Sequence, residues 1–335
     1  MKTNRKVTSD TWHVTRAGSQ ATPLVTCHPS RLPRRSGAKA GAFSLVEIMV
    51  VIGLLSLIVL ALMAVFNSAQ TAFRASITQT DVLEGGRATM DLMAADLRQM
   101  APSLGNSNDL TSVYYSTNPV NFYASTNSYY TQPLVQPLTG SGQSRTNVLE
   151  TFFVLGRGNL NGRPTWFGMG YAVDVATNSN YLNPLYHFYM TTNVEASPNP
   201  VTLFTNFMAS VVAGTFTNAN WSHLLDGVVD LRVRAYDTHG LWMTNGYTFG
   251  YTNTARNVLF LPSTLGECGF YMFSNTLPAS VEIQLGVLED RVLQRAATWP
   301  NGSQQQNSYL QQQAGKVHLF RQRVTISNVD PSAYQ

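Results

Sequence analysis

Residues 43–66, FSLVEIMVVIGLLSLIVLALMAVF, decide how the chain is organised. These 24 residues contain one charged side chain, Glu47. At about 1.5 Å per residue, a helix of this length spans about 36 Å, which exceeds the ~30 Å hydrocarbon core of a bilayer. The segment is also longer than the ~7–15 apolar residues of a cleaved secretory signal. The pattern predicts a membrane-spanning helix, and a buried core helix is the alternative.

Positive charge is concentrated ahead of this segment. Residues 1–42 contain eight Lys and Arg residues and one acid, a net charge of +7; because the whole chain carries +4, residues 43–335 carry −3. The basic residues nearest the apolar segment are Arg34, Arg35 and Lys39. Basic residues mark the cytoplasmic side of a membrane helix, so we expect a cytoplasmic N-terminus and export of residues 67–335. The acidic remainder disfavours nucleic acid as a partner.

Glu47 is the unusual residue of the apolar segment. A carboxylate near the bilayer centre costs roughly 2.5–3.5 kcal/mol on insertion scales, and such groups usually have a partner. Glu47 follows Phe43 by about one helical turn. Cleavage just before Phe43 would create an α-amino group within reach of this carboxylate, in the same subunit or in a neighbouring one.

The sequence Ala42-Phe43-Ser44-Leu45-Val46-Glu47, between basic residues and the apolar run, resembles the processing site of type IV prepilins and type II secretion pseudopilins. The resemblance implies cleavage between Ala42 and Phe43, N-methylation of Phe43, and a role for Glu47 in joining subunits. Ala42 departs from the Gly that usually precedes the cut. Cleavage after Gly41 would restore that Gly but would shift Glu47 from the fifth to the sixth mature position. Both bonds stay open, and the Ala42–Phe43 bond is favoured.

The same resemblance implies partners and a location. The partners would be the prepilin peptidase and methylase, other minor and major pseudopilins, the inner-membrane assembly platform and the lipid bilayer. The protein would be a non-enzymatic, single-pass inner-membrane subunit whose C-terminal domain is periplasmic until it enters a filament. Residues 1–42 would be a cleaved leader that is long for this class. Because no Met lies between Met1 and Met49, one hypothesis is that its first part is a start-site artefact.

The expected fold is α+β, with a long N-terminal helix packed on an antiparallel β-sheet pilin-like globular domain. Residues 43–66 would be the transmembrane and assembly half of the helix, residues 67–101 its amphipathic half, and residues 102–335 the exported domain. Apolar residues of the amphipathic half recur at helical steps or their sums, which predicts packing on the domain. They are Phe73, Ile77, Leu83, Met90, Met93, Leu97 and Met100. We expect Asp91, Asp96 and Arg98 on the solvated face, and a bend or fraying at Gly85-Gly86.

Alternation of apolar and polar residues predicts the strands of the domain. The predicted strands are residues 148–155, 166–175, 185–190, 229–236, 281–287 and 317–326, with a hairpin turn at Asn161-Gly162. Residues 103–147 favour irregular loops or short edge strands, because they are rich in Ser, Thr, Asn, Tyr, Gly and Pro. Residues 298–315, which include NGSQQQNSYLQQQAG, favour an exposed loop.

Three segments also resemble J-type minor pseudopilins in order and spacing. They are GRATMDLMAADLRQ at residues 86–99, DGVVDLRVR at 226–234 and LPASVEI at 277–283. The size of the chain and its Asn-rich loops are equally similar to prepilin-signalled members of the Verru_Chthon cassette proteins. The resemblance therefore leaves the choice among secretion, pilus and cassette roles open.

Motifs for catalysis and cofactors are weak. The chain has no HExxH, CxxC or GxSxG motif, and the glycines of residues 156–162 miss the GxGxxG spacing by one residue. Calcium is the one cofactor alternative, with Asp226 and Asp230, or Glu289 and Asp290, as candidate ligands. Loss of the leader would remove Cys27, so we expect Cys268 to be a small buried apolar residue and no intramolecular disulfide to form.

Two other functional classes stay open. One is a pilus-associated adhesin or DNA-uptake subunit, in which the Tyr- and Asn-rich residues 103–147 would bind a surface or glycan. The other is a signal-anchored exported enzyme. The prepilin resemblance favours a structural subunit over both, because it accounts for the position of Glu47.

Overall fold

The computed structural model describes residues 44–104, 118–127, 134–138, 140, 142–175, 182–244, 257–261 and 265–334. The chain divides into two compact units, residues 1–63 and residues 64–335. The fold is α+β, with one long apolar N-terminal helix and an antiparallel β-sheet domain, as the sequence predicted.

Four α-helices and twelve strands are present in the described residues. The helices are α1 (Leu45–Arg98), α2 (Val201–Ala213), α3 (Asp290–Ala296) and α4 (Gln304–Gln311). The strands are β1 (Val120–Thr126), β2 (Val135–Pro137), β3 (Ser144–Thr146), β4 (Glu150–Leu160), β5 (Arg163–Val173), β6 (Leu185–Asn193), β7 (Trp221–Leu225), β8 (Val228–Tyr236), β9 (Val258–Phe260), β10 (Phe270–Phe273), β11 (Ser280–Leu288) and β12 (Val317–Thr325). Short 3-10 turns lie at Ala314–Lys316 and Pro331–Tyr334.

The strands form two main antiparallel sheets. The larger sheet has the order β7-β6-β5-β4-β1-β10-β9, the smaller has the order β12-β11-β8, and β2 pairs with β3. A short parallel bridge between Leu149 and Leu231 joins the large sheet to the outer edge of β8. Each of the six predicted strands has a counterpart, and the turn at Asn161-Gly162 is confirmed. Both of its residues have positive φ, 52° and 77°, as a two-residue hairpin turn requires.

Two predictions about irregular regions are corrected by the structure, although β2 and β3 are short strands, as predicted. Residues 103–147 supply β1, which lies between β4 and β10 inside the large sheet rather than at an edge. Residues 298–315 contain α4, which begins after Ser303 because its hydroxyl accepts a hydrogen bond from the Gln306 N–H at 3.3 Å. Gln306 itself is 1% exposed, so its polarity did not indicate exposure.

Helix α1 continues through both glycines, so the predicted fraying at Gly85-Gly86 was wrong. Gly86 is buried because the ring of Phe320 lies against it: a Cβ placed on Gly86 would lie 2.3 Å from Phe320 Cε2. Gly86 therefore allows close packing of α1 on β12.

The predicted burial of Met90, Met93, Leu97 and Met100 is confirmed, since none is more than 4% exposed.

The large sheet is buried on both faces. On one face, Phe152, Tyr171 and the α1 residues Met93 and Leu97 share a core cluster with the inner face of the small sheet. On the other face, Phe153, Trp166 and Phe188 pack with the α2 residues Phe204 and Phe207. Alternate residues of one strand, such as Phe152 and Phe153, serve opposite faces, as strand geometry requires.

Candidate assembly segment

The described part of the processing motif forms the first turn of α1. Ser44 caps the helix: its Oγ accepts a hydrogen bond from the Glu47 N–H at 3.2 Å, and its carbonyl oxygen accepts one from the Ile48 N–H at 3.2 Å. Ser44 and Glu47 thus occupy the N-cap and N3 positions of the S-x-x-E pattern that commonly starts helices. This pattern is visible in the sequence and gives Ser44 a role that the cleavage motif alone did not indicate.

The Glu47 carboxylate is solvent-exposed on this first turn. A negative charge there is favourable because it lies near the positive end of the helix dipole, by about 0.3–1 kcal/mol at an exposed site. Within the described residues, no ion pair or side-chain hydrogen bond engages this carboxylate. Its oxygens are therefore available to a group from outside the described chain.

Around this carboxylate lies an unbroken apolar surface. From Leu45 to Met63, every side chain of α1 is exposed, including nine Leu and Ile residues that are between 50% and 75% exposed. Among the described residues, α1 is the one helix long and apolar enough to cross a membrane. Burying each of these side chains would contribute about 1.5–3 kcal/mol, so such a surface requires lipid or protein to cover it.

In the second unit, α1 stays exposed for several further turns. Every side chain that the structure describes between residues 64 and 81 is exposed, and Val82 is the first one buried. Phe73 and Ile77 are 72% and 59% exposed, so their predicted packing on the domain was wrong. Leu83, at 40% exposure, is also largely uncovered. The domain covers only the last part of the predicted apolar stripe.

The remaining residues of the predicted processing site lie outside the described residues. They are Arg34, Arg35, Lys39, Ala42 and Phe43. The structure places Glu47 beside Ser44 on α1, and the choice of cleaved bond stays a prediction.

The candidate calcium ligands have other contacts. Asp230 is buried, and it accepts hydrogen bonds from the Val148 N–H, Arg232 and Gln284. Asp226 contacts His223 at 2.8 Å. In the part of the chain that the structure describes, no group of three His, Cys, Asp or Glu side chains is placed to hold a metal ion.

Asp96, near the C-terminal end of α1, is a buried acid that contacts the large sheet. Asp96 is 6% exposed, which corrects its predicted place on the solvated face. Its Oδ2 accepts a hydrogen bond from the Tyr171 hydroxyl at 2.6 Å and contacts His187 Nε2 at 3.1 Å. Burial, and then the Asp96 charge, raise the pKa of Tyr171 far above its usual range. These contacts offset the unfavourable position of an acid near a helix C-terminus.

A second buried acid lies where the two sheets join. Glu150 is 1% exposed; its Oε2 accepts a hydrogen bond from the Val233 N–H, and within the described residues its Oε1 has no hydrogen-bond partner. Burial raises the pKa of Glu150 to about 8, and the nearby Glu267 carboxylate adds to the rise. The buried Glu267 is paired with Arg232 and Arg234 at 3.0 and 2.6 Å. Glu150 and Glu267 both contact residues of β8, so their geometry is that of structural contacts.

Comparison of the chain with protein-family models, with curated proteins and with solved structures gave no match. Any assignment of function therefore rests on the chain's own residues.

Proposed function

We propose that the protein is a minor pseudopilin or pilin-like structural subunit, held in the inner membrane by α1 and assembled into a type II secretion pseudopilus or a type IV pilus-like filament. The observation that carries the proposal is the first turn of α1. There, an exposed Glu47 carboxylate without a partner in the described residues starts an exposed apolar helix. The motif Ala42-Phe43-Ser44-Leu45-Val46-Glu47 supplies a reason for that carboxylate, namely a new amine created beside it.

The mechanism is transfer of the helix from lipid to protein. The apolar surface of residues 45–66 is covered by the bilayer before assembly and by neighbouring helices afterwards, so its burial is maintained throughout. Glu47 offsets the positive amine of an adjacent subunit, which makes the charge tolerable away from water. The exported domain then contacts other minor subunits, near the filament tip if the J-type resemblance holds.

The N-terminus of the mature protein tests the class directly. The full chain is produced with and without a prepilin peptidase, and its N-terminal peptide is analysed by mass spectrometry. We expect N-methyl-Phe43 only when the peptidase is present. N-methyl-Ala42 would keep the class and move the cleaved bond to Gly41–Ala42. An intact leader in the presence of active peptidase would refute the proposal.

The role of Glu47 is tested by E47A. We expect cleavage to continue while recovery of the subunit in sheared filaments falls about tenfold, because about 1.4 kcal/mol of lost pairing reduces incorporation by that factor. E84A is the matched control, since Glu84 is an exposed acid on the same helix. Equal incorporation of E47A and E84A would contradict the assigned role.

A further inference from the structure

The outer edge of β12 is a long strand edge that has no paired strand in the described structure. β12 has nine residues, whereas the two edge strands of the large sheet, β7 and β9, have five and three. In the described residues, β11 pairs with one side of β12 and no strand pairs with the other. Proteins generally keep edge strands short or protected, because their free N–H and C=O groups readily pair with another strand.

The register of β12 identifies which backbone groups are free. Just beyond the two ends of the strand pair, Ile326 donates to the Ala279 carbonyl and Glu289 donates to the Lys316 carbonyl, both at 3.0 Å. In an antiparallel pair with unbroken register, such hydrogen-bonded positions alternate. Even-numbered residues of β12 therefore bond to β11, and odd-numbered residues point their N–H and C=O groups away from it. Within the described residues, the free positions are Leu319, Arg321, Arg323 and Thr325, whereas the Val317 N–H donates to the Ala314 carbonyl.

The side chains at these positions are also uncovered. Leu319 is 48% exposed, and Arg321, Arg323 and Thr325 are exposed as well, whereas the alternate residues Phe320 and Val324 pack into the core. Strand geometry places the odd-numbered side chains on one face. The edge thus presents free backbone groups together with a row of one apolar and two positively charged side chains.

Charge determines what kind of strand fits this edge. Arg321 contacts Glu282 at 2.7 Å but its side chain is 61% exposed. Arg323 donates to the Ser280 hydroxyl at 2.9 Å and lies 3.9 Å over the ring of Tyr236, and within the described residues it has no carboxylate partner. A second copy of β12 would place like charges opposite each other, which is unfavourable, whereas a carboxylate opposite each arginine is favourable.

We propose that the free edge of β12 is a docking site for an extended segment of a partner protein that carries carboxylates at two alternate positions. The segment would add a fourth strand to the small sheet, with its backbone bonded to residues 319–325 and its carboxylates opposite Arg321 and Arg323. This mode of recognition takes affinity from main-chain hydrogen bonds and specificity from alternate side chains. It is independent of the filament proposal, because it needs only the second unit of the chain.

Amide-resolved hydrogen–deuterium exchange on the full chain in detergent tests this site. The probe is the peptide Thr-Val-Thr-Glu-Thr-Glu-Thr-Val-Thr, whose palindromic sequence suits either strand direction; its control has lysines in place of both glutamates. At a peptide concentration about ten times its Kd, we expect exchange at Leu319, Arg321 and Arg323 to slow about tenfold. The amides of Phe320 and Gln322 are protected with or without peptide and serve as the internal reference.

Two variants test the main-chain hydrogen bonds and the arginine charges separately. L319P removes one outward N–H without removing a β11 hydrogen bond, so we expect peptide affinity to fall at least about tenfold, while L319A stays close to the wild type. The double variant R321Q/R323Q should lose the preference for glutamate over lysine peptide while the reference amides stay protected. If L319P lowers the protection of the Phe320 and Gln322 amides, the test rests on the peptide preference of R321Q/R323Q.

Four results would overturn the proposal. They are the absence of protection by the glutamate peptide, equal protection by both peptides, outward amides already protected in the free chain, and self-association that L319P abolishes. The third result would mean that the chain covers its own edge, and the fourth that a second copy is the occupant.

Discussion

At the scale of single residues, Glu150 is a carboxylic acid whose charged form is opposed by burial. It is buried, no group among the described residues hydrogen-bonds to its Oε1, and its pKa is raised from 4.5 to about 8. The unfolded chain therefore loses its proton near pH 4.5, while the folded chain keeps it until about pH 8. Since the folded state binds more protons in this interval, stability falls as pH rises from about 4.5 to 8 and levels off above.

The variant E150Q should remove this pH dependence. We expect it to resemble the wild type near pH 5 and to be more stable by about 1–3 kcal/mol near pH 8.5, because the amide cannot ionise and can still accept from the Val233 N–H. Urea unfolding of the full chain in detergent, measured across this pH range, gives the comparison. E195Q is the control, since Glu195 is exposed. Parallel pH curves for wild type and E150Q would show that Glu150 does not hold its proton.

The Tyr171 hydroxyl is the second group whose contribution to stability can be measured. In Y171F the Asp96 carboxylate stays buried but loses the 2.6 Å hydrogen bond from the hydroxyl. We expect a loss of about 1–3 kcal/mol in the free energy of unfolding. Y189F removes a hydroxyl from the neighbouring strand, at a residue that is 45% exposed, and should change stability by less than about 0.5 kcal/mol. Equal effects of the two variants would show that the Asp96 contact is not stabilising.

At the scale of secondary-structure elements, the contact between α1 and β12 depends on Gly86. We expect G86A to destabilise the domain by about 1–3 kcal/mol, because its Cβ would overlap the Phe320 ring and this overlap outweighs the ~1 kcal/mol that Ala gains in a helix. G85A is the matched control: its Cβ would lie 3.3 Å from Leu225 Cδ1, so it should be close to neutral. Thermal unfolding of the full chain measures both variants.

A second substitution shows whether the overlap is the cause. F320L replaces the ring that faces Gly86 with a smaller side chain. The loss of stability caused by G86A should therefore be smaller in an F320L background than in the wild type. The difference between the two losses is the coupling energy of the pair. If the two substitutions are additive, the cost of G86A does not come from the contact with Phe320.

Two helices of the chain begin with the same local pattern. Ser44 with Glu47 starts α1, and Ser303 with Gln306 starts α4. This pattern is readable from sequence, and it would have corrected the predicted loop at residues 298–315. The burial of Gln306 was not readable, because it depends on the Ala296 carbonyl, which accepts its side-chain amide at 3.0 Å.

At the scale of the whole molecule, the exposed turns of α1 before Val82 allow assembly to be tested without changing the stability of the domain. Phe73 and Ile77 contact none of the domain core. The variant F73S/I77S should therefore change the free energy of unfolding by less than about 0.5 kcal/mol, while incorporation into filaments falls several-fold if neighbouring subunits cover these residues. M93A, in the core, should instead cost about 2–5 kcal/mol. Unchanged incorporation of F73S/I77S would show that subunits do not pack there.

The sequence by itself determined the long apolar helix, the concentration of positive charge in residues 1–42, the α+β class and the principal strands. These follow from composition and periodicity, which act locally along the chain. Only the tertiary structure decided which apolar residues of α1 the domain covers, why Gly86 must lack a side chain, and that Asp96 and Glu150 are buried. It also placed β1 inside the large sheet and left the outer edge of β12 without a paired strand among the described residues. These properties depend on contacts between residues far apart in sequence, so no local pattern encodes them.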